Sequence, residues 1–291
     1  MELSLQASIS LRLRYFRLAM LAMGLLLAVP GGARDLPEWR SWPLGERFNI
    51  GVGAFHANLE TKVRAVSTGE INPGAAVIFE RDLGMADSIT RPMLRANWRV
   101  AKRHTLSLNY FDLNRSGDTI STVNIKFGDA EISVDLPVES YLDIETLEFA
   151  YSYSILFDQK KDLSIGLGIS FQDLKSGILS NDDGIIIQED LNVYLPLPTL
   201  NARFQYAFTD KWIGSIKLGW LAVEAELGEK EDIDGSIWNS SAAIRYKAFK
   251  NISFSLVYMV YEIDVDYNKR DLAGFVDYKY HGPVLGIDYS F

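Results

Sequence analysis

The chain has 291 residues, no cysteine and a formal net charge of −9, and 23% of its residues are charged. The lack of cysteine excludes a disulfide framework and thiol chemistry. The acidic balance argues against nucleic acid as a partner. Mean hydropathy is +0.01, but this value does not exclude a membrane location. Strands that alternate lipid-facing and lumen-facing residues average to a similar value.

The first 33 residues have the features of a secretory signal peptide. Three arginines precede an apolar run that extends from Leu18 to Pro30, and Gly-Gly-Ala follows. The run has 13 residues, fewer than the roughly 20 that a transmembrane helix needs, so an uncleaved anchor is the weaker alternative. We predict a signal peptide over residues 1–33, a short periplasmic segment over 34–46 and one domain over 47–291. Without residues 1–33, which carry three basic side chains and one acidic one, the formal charge is −11.

The rest of the chain alternates apolar and polar residues with a period of two. Between Leu163 and Phe171, large apolar residues alternate with serine and glycine. Similar alternation covers residues 48–54, 94–100, 147–157, 200–208 and 252–260. No later stretch reaches the roughly 18 apolar residues of a membrane helix. The pattern predicts an all-β protein, and it is compatible with a membrane β-barrel or with a soluble exported β-sandwich.

The placement of the aromatic residues favours a membrane barrel. Trp212 and Trp220 lie eight residues apart on the apolar face of one predicted strand, a separation of about 26 Å in an extended chain. A strand tilt of about 40° reduces this to roughly 20 Å along the membrane normal, which is close to the height of the apolar band in outer-membrane barrels. The aromatic girdle that we predict at the membrane interfaces comprises Trp98, Trp212, Trp220, Trp238 and Tyr258.

The lengths of the predicted connections indicate the number of strands. Short links are predicted near residues 101–104, 158–162, 209–211 and 248–251. Long acidic links, interpreted as solvated loops, are predicted at residues 180–190, 226–236 and 264–271. Short turns at one end and long loops at the other are typical of outer-membrane barrels. We predict a closed antiparallel transmembrane β-barrel of about ten strands, within a range of roughly 8 to 12 because residues 74–84 leave the parity open.

The end of the chain alternates in the same way and finishes on an aromatic residue. Leu285, Ile287, Tyr289 and Phe291 share one face, opposite Gly, Asp and Ser. This sequence resembles the carboxy-terminal assembly signal of bacterial outer-membrane β-barrel proteins, a porin-like superfamily. The resemblance implies export through the periplasm, recognition by the barrel assembly machinery and an outer-membrane location, with lipid and lipopolysaccharide as partners. It covers the mature chain as a pattern and indicates no named subfamily.

Few residues in the chain are suited to catalysis. The three histidines are His56, His104 and His281, and none lies in a local motif with a nucleophile. We therefore predict no enzymatic activity. The alternative is a lipid-modifying outer-membrane enzyme of the deacylase or phospholipase type. The resemblance to omptin-type proteases is limited to a barrel with acidic upper loops.

The Asp-Gly sequences at residues 182–184 and 232–235 lack the spacing of a calcium-binding loop, so we predict no metal or cofactor.

A set of charged residues lies on the polar face of the predicted strands, which faces the lumen of a barrel. The set comprises Arg95, Arg99, Glu148, Arg203, Lys217, Arg245, Lys247 and Asp288. Six of these eight residues are basic, although the mature chain is acidic. They predict either a salt-bridged interior that fills a narrow barrel or a conduit that prefers anions. The corresponding functions are a structural or surface-interaction role and a narrow pore for small solutes.

Overall fold

The structure is a computed structural model that describes residues 37–67, 77–122, 124–127, 130–182, 185–228, 231–269 and 272–291. The chain divides into a leading unit, Met1–Pro37, and a second unit, Glu38–Phe291. The predicted signal peptide and the first residues of the predicted periplasmic segment therefore lie outside the described residues. None of the helices in the described part of the chain is long and apolar enough to span a membrane.

Long antiparallel strands account for most of the second unit. In chain order the elements are a 3-10 helix (Glu38–Ser41), β1 (Phe48–Ser67), β2 (Val77–Ile78), α1 (Phe79–Asp82), β3 (Ser88–Ala101), β4 (His104–Ile120), β5 (Ile125–Phe127), β6 (Ala130–Ile132), β7 (Pro137–Phe157), β8 (Lys161–Asp182), β9 (Ile185–Ala207), β10 (Trp212–Gly228), β11 (Glu231–Lys247), β12 (Ile252–Lys269) and β13 (Leu272–Ser290).

The ten long strands form one closed sheet. Each pairs with the next long strand, and β13 returns to pair with β1. This closing seam runs from Asn49 opposite Ser290 to Ser67 opposite Leu272. Closure removes the free edge that an open sheet would expose to lipid. The prediction of a closed antiparallel barrel of about ten strands is confirmed, and the fold is not the two-sheet sandwich considered as an alternative.

One end of the barrel, here called the lower end, carries the short turns and the junction of the first and last strands. Phe48 and Phe291 exchange backbone hydrogen bonds of 3.0 and 2.9 Å at this end. Turns of two to four residues connect β3 to β4, β7 to β8, β9 to β10 and β11 to β12. These turns coincide with the predicted short links.

At the opposite, upper end, the three acidic segments predicted as long loops are mostly strand. β8 continues to Asp182 and β9 begins at Ile185, and the β10–β11 and β12–β13 connections are equally short. The prediction of long loops at residues 180–190, 226–236 and 264–271 is therefore wrong. Asp190, Asp264 and Asp266 in these segments are exposed strand residues, so their polarity reflects contact with solvent and does not indicate a loop. The turn residues themselves lie outside the described ranges.

The outer surface has a lower apolar zone and an upper charged zone. On β1, Ile50 and Val52 are exposed in the lower part, and Glu60 is exposed higher on the same face. On β13, Leu285 is exposed in the lower part, whereas Lys279 lies above it. A membrane β-strand needs only about 9–11 residues, and β8 has 22. The barrel is therefore considerably taller than a membrane is thick.

The sheet divides into two wings in its upper half. Pairing between β3 and β4 ends at Met93 and Phe111, and pairing between β9 and β10 ends at Leu200 and Trp220. All four strands continue beyond these points and remain paired on their other side. One wing consists of β4, β7, β8 and β9, and the other consists of β10 to β13 with β1 and the start of β3.

Prolines lie at the points where pairing stops. Pro92 adjoins the last β3–β4 pair, and Pro196 and Pro198 lie just above the last β9–β10 pair. At the closing seam, pairing is interrupted where β13 contains Gly282 and Pro283. Proline lacks the N–H that a continuing ladder requires. The two wings are therefore a consequence of proline positions within otherwise regular strands.

The space between the wings is filled by a plug segment, defined as residues 77–87, which contains β2 and α1. This segment includes most of the stretch, residues 74–84, whose structure the sequence left open. Phe79, Leu83 and Met85 are buried. A Cβ atom at Gly117 of β4 would lie 2.2 Å from the carbonyl oxygen of Leu83, so the close approach of the segment to β4 requires glycine there.

The plug segment and the β5–β6 hairpin complete an apolar core in the upper half. Ile125 and Ile132 of the hairpin are fully buried in the same cluster as the plug residues. The rings of Phe55, Phe111 and Tyr280 pack edge to face in this cluster, with centroids 5.7 to 6.1 Å apart. The upper half of the barrel is therefore packed like the core of a globular protein.

A buried arginine fixes the plug segment to the barrel wall. Arg115 of β4, whose side chain is fully buried, forms a 2.6 Å ion pair with Glu80 of α1. Its guanidinium also donates to the carbonyl oxygen of Ala86 at 3.0 Å and to the hydroxyl of Thr61 on β1. The carboxylate of Asp82 accepts the backbone N–H of Ile78 at 2.8 Å. These bonds satisfy the polar groups that the plug brings into the core.

Candidate functional site

A polar chamber of about 210 Å³ lies inside the barrel below the apolar core. Its upper wall includes Tyr261 and Val284, and the remaining wall consists mainly of asparagine, serine and charged side chains. A smaller cavity of about 80 Å³ adjoins it toward the lower end, and both cavities are lined by Arg203 and Arg245.

All eight charged residues predicted to face the lumen lie on the inner side of the barrel wall. Arg99 lines the smaller cavity, and the ammonium group of Lys247 lies at the lower mouth, where it donates to the carbonyl oxygen of Pro43 at 2.7 Å. The six residues of the set that line the chamber are Arg95, Glu148, Arg203, Lys217, Arg245 and Asp288.

Two pairs within the predicted set connect strands across the chamber. Arg95 of β3 lies 3.3 Å from a carboxylate oxygen of Asp288 on β13. Lys217 of β10 lies 3.7 Å from Glu148 of β7, and the side-chain amide of Asn109 donates to the same carboxylate at 2.8 Å. Charges that are partly buried in an interior are tolerated when they are paired and hydrogen-bonded, so these contacts offset their desolvation.

Two further carboxylates, which the sequence reasoning missed, complete the charged interior. Asp162 forms a buried ion pair with Arg99, whose guanidinium also lies 4.2 Å from the centroid of the Phe157 ring. Glu46 forms ion pairs with Arg245 at 2.7 Å and with Lys247 at 2.6 Å. Extending the alternation of β8 backwards would have identified Asp162. Glu46 precedes the first strand, so no periodic signal pointed to it.

The segment before β1 covers the lower mouth of the barrel. Trp39 and Trp42 pack against the ring of Phe157 with centroids 6.2 and 5.3 Å away, and Leu44 is buried. Burial opposes ionisation of Glu46, but the charges of Arg245 and Lys247 outweigh it and hold the pKa of this carboxyl below its ordinary value. Glu46 is therefore an ionised internal partner for the lower cations.

Arg203 differs from the other cations of the lower interior. Within the described residues its guanidinium has no carboxylate within 4.0 Å and no side-chain hydrogen bond, and its Nε atom is buried without a partner. Lys217 is its direct neighbour in the β9–β10 register. An arginine enclosed beside another cation requires water or an anion to satisfy its N–H groups.

The predicted aromatic girdle lies on the outer surface. Trp212, Trp220, Trp238 and Tyr258 are each at least 40% exposed, and Trp98 is half-buried on the same face. Trp220 lies directly opposite Trp238 in the β10–β11 register, at the upper limit of the apolar zone. The four residues of the carboxy-terminal pattern, which are also at least 50% exposed on the outer face, are Leu285, Ile287, Tyr289 and Phe291.

The histidines also lie on the outer surface. His56 is 3.0 Å from the Thr90 hydroxyl, and His104 is 2.7 Å from the Tyr151 hydroxyl. The Nδ1 atom of His281 is 2.9 Å from the hydroxyl of Tyr258. The structure therefore places the histidines away from the chamber. Among the described residues, no group of three or more His, Asp or Glu side chains is arranged to hold a metal ion.

The upper charged zone contains acids with raised pKa values. Asp264 of β12 lies opposite Asp277 of β13, and partial burial together with Asp277, Glu262 and Asp266 raises its pKa. On the other wing, burial and a 2.8 Å hydrogen bond to Asp190 raise the pKa of Tyr141 to about 12. Acidic side chains are thus crowded on the outer surface just above the apolar zone.

Comparison with known proteins supports the fold class. No protein-family model and no curated protein sequence matches the chain. The outer-membrane protease OmpT from Escherichia coli has a similar structure, with a TM-score of 0.50 and 10% identity over 84% of this chain and 97% of that chain. The translocator domain of the autotransporter NalP from Neisseria meningitidis gives a TM-score of 0.46 and 8% identity over 98% of this chain and 97% of that chain. The outer-membrane protein OprG from Pseudomonas aeruginosa gives 0.35 and 11%, over 84% and 97% respectively.

At these levels of identity the likeness concerns the fold alone. The chain has the closed antiparallel barrel found in bacterial outer-membrane proteins.

Proposed function

We propose that the protein is a closed outer-membrane barrel that acts through its upper, surface-exposed half and does not form an open pore. The observation that carries this proposal is the apolar plug. Phe79, Leu83 and Met85 are buried between the wings, and Ile125 and Ile132 of the hairpin pack against the same core. A pathway for hydrated solutes would have to cross this core, which has interior-like packing.

The proposed orientation places the short turns in the periplasm and the two wings outside the cell. Short turns at the lower end and an outer apolar band support this orientation, because both are general features of outer-membrane barrels. In this proposal residues 1–33 direct export, and the strand ending at Phe291 is recognised by the barrel assembly machinery. Lipopolysaccharide surrounds the charged zone, and surface partners bind the wings.

The proposed role is non-enzymatic. His56, His104 and His281 support this view because each lies on the outer wall with a threonine or tyrosine as its hydrogen-bond partner. A lipid-modifying enzyme of the deacylase or phospholipase type would use a histidine beside a nucleophile. Replacement of all three histidines by glutamine in folded protein is expected to leave the cellular role intact. Loss of a lipid-hydrolysing activity in that variant would favour the enzyme alternative.

Planar-bilayer recording tests the closed state. The wild-type barrel is expected to show no discrete conductance steps. Phe79→Lys introduces a charge into the apolar core and is expected to displace the plug and produce steps, whereas Ile120→Lys, at a position that is 62% exposed, is expected to remain silent. Regular steps from the wild-type protein, with a selectivity that changes on charge reversal at Arg203 and Arg245, would support the narrow pore instead.

A further inference from the structure

The lower interior contains more positive than negative charge. Its cations among the described residues are Arg95, Arg99, Arg203, Lys217, Arg245 and Lys247, and its carboxylates are Glu46, Glu148, Asp162 and Asp288. Each carboxylate already has a cationic partner, and Glu46 has two. The six cations and four carboxylates leave a formal excess of two positive charges in the lower interior.

The excess charge is located around Arg203. Its guanidinium has no carboxylate partner in the described structure, and its Nε atom is buried and unsatisfied. Lys217 lies directly opposite it in the sheet, and Arg245 lines the same chamber. These three residues come from the adjacent strands β9, β10 and β11 and all line the chamber. Enclosure in a low-dielectric barrel strengthens their attraction for an anion.

We propose that the chamber binds a small inorganic oxyanion, of the phosphate or sulfate class, between Arg203, Lys217 and Arg245. Ser215 lies between these cations, since it is two residues from Lys217 on β10 and opposite Gln205 of β9. Both Ser215 and Gln205 line the chamber and supply neutral hydrogen-bond donors. The chamber, at about 210 Å³, is much larger than the space of about 15 Å³ that one water requires. An oxyanion is therefore accommodated together with several waters.

The site is closed toward the upper half, and the smaller cavity lies between it and the segment that covers the lower mouth. Tyr261 and Val284 form its upper wall, and the smaller cavity connects it to Glu46 and Leu44 at the lower mouth. Glu46 occupies Arg245 and Lys247 with its own carboxylate, so it competes with an incoming anion for Arg245. Its removal is therefore expected to strengthen anion binding. The closed upper wall makes the chamber a binding site and not a conduit, because a conduit would require an exit through the upper core.

Isothermal titration with inorganic phosphate into the refolded mature barrel tests the proposal. At constant ionic strength, we expect saturable binding of one phosphate per barrel and a phosphate-dependent rise in Tm. Arg203→Met is expected to weaken binding by about tenfold or more, because it removes a charged hydrogen-bond donor. Glu46→Gln is expected to tighten binding, because it releases Arg245. Arg91→Gln is the control, since Arg91 lies outside both the chamber and the smaller cavity, and it is expected to leave binding unchanged.

Ser215→Asp provides the second test. It places a carboxylate among the three cations and is expected to abolish phosphate binding, while its Tm without phosphate equals or exceeds that of the wild type. If Arg203→Met does not fold, this variant decides the matter. General salting effects of phosphate would raise the Tm of all variants equally. Such an equal rise, an absence of saturable binding to wild type, or undiminished binding to Ser215→Asp would overturn the proposal.

Discussion

The two halves of the barrel interior are filled by different kinds of residues. In the lower half, Arg95 pairs with Asp288 and Lys217 with Glu148 around a polar chamber. In the upper half, a segment from the β1–β3 connection and a short hairpin fill the space with apolar side chains. The lower half is also the half in which every long strand is paired on both sides.

The difference shows that the residues filling the barrel interior depend on whether the strand pairing of the barrel wall is continuous. Where the ladder is continuous, its hydrogen bonds hold the wall together, and the interior can consist of paired charges and cavities. Where Pro92 and Pro198 interrupt pairing, the described strands of the two wings lack backbone ladder hydrogen bonds to each other. Burial of apolar side chains between the wings then supplies the cohesion, at about 25 cal/mol per Å² of apolar surface removed from water.

The largest effect is expected from truncating the plug. Phe79 is 1% exposed, and Phe79→Ala is expected to destabilise the upper half by about 3–5 kcal/mol, because a large cavity replaces the ring. Hydrogen exchange is expected to increase in the wings while amides of the lower strands remain protected. The control Ile120→Ala, at an exposed position, is expected to change little. Equal loss of protection in both halves would contradict the division between them.

A somewhat smaller effect is expected at the arginine that fixes the plug. Arg115→Met leaves Glu80 without its 2.6 Å partner and is expected to reduce the free energy of unfolding of the upper half by about 3 kcal/mol. The double variant Arg115→Met with Glu80→Gln is expected to recover part of this loss, since no unpaired charge remains. A double-mutant cycle measured by denaturant unfolding gives the coupling energy. Additive losses would show that the ion pair contributes nothing specific.

A moderate, pH-dependent effect is expected at the lower mouth. The pKa of Glu46 is lowered in the folded protein, so its stabilising contribution is present above its unfolded pKa and is lost as the pH falls through its folded pKa. Acidification below the ordinary range of glutamate is therefore expected to lower Tm by weakening the contacts with Arg245 and Lys247. Thermal unfolding as a function of pH measures this. In Glu46→Gln this part of the acid dependence is expected to disappear.

The smallest effect is expected on the outer surface of the upper half. Asp264 has a raised pKa because of partial burial and the neighbouring carboxylates, so its protonated form is favoured by folding and stability is lost as the pH rises through its folded pKa. Asp264→Asn is expected to increase stability at neutral pH by about 0.5 kcal/mol, by removing a like charge opposite Asp277. Denaturant unfolding near pH 3 is expected to show no gain. A gain that persists there would exclude charge repulsion as its cause.

The local pattern of the chain was sufficient to assign the residues of each strand to the inner or the outer face. A period of two assigns each residue of a strand to one face, which is why Arg95, Lys217 and Asp288 were predicted to face inward and now lie on the inner wall. The same alternation assigned Trp220 to the outer face, where it lies in the structure. The prediction of long loops failed because it relied on the acidic composition of these segments and not on the alternation of inward and outward residues. The segment around Asp182 is an example. Pro92 and Pro198 were visible signals for interrupted pairing, but only strand neighbours reveal which ladder they interrupt.

The sequence by itself therefore determined the strands and their faces, because these depend on alternation between near neighbours in the chain. It favoured closure into a barrel only through the aromatic residues and the carboxy-terminal pattern. The tertiary structure decided what fills the barrel. Glu46 meets Arg245 across 199 positions of sequence, and Arg115 meets Glu80 only because the plug segment turns inward. Such contacts are set by the size of the enclosed space and by the cost of unpaired buried charge, neither of which is encoded in a local period.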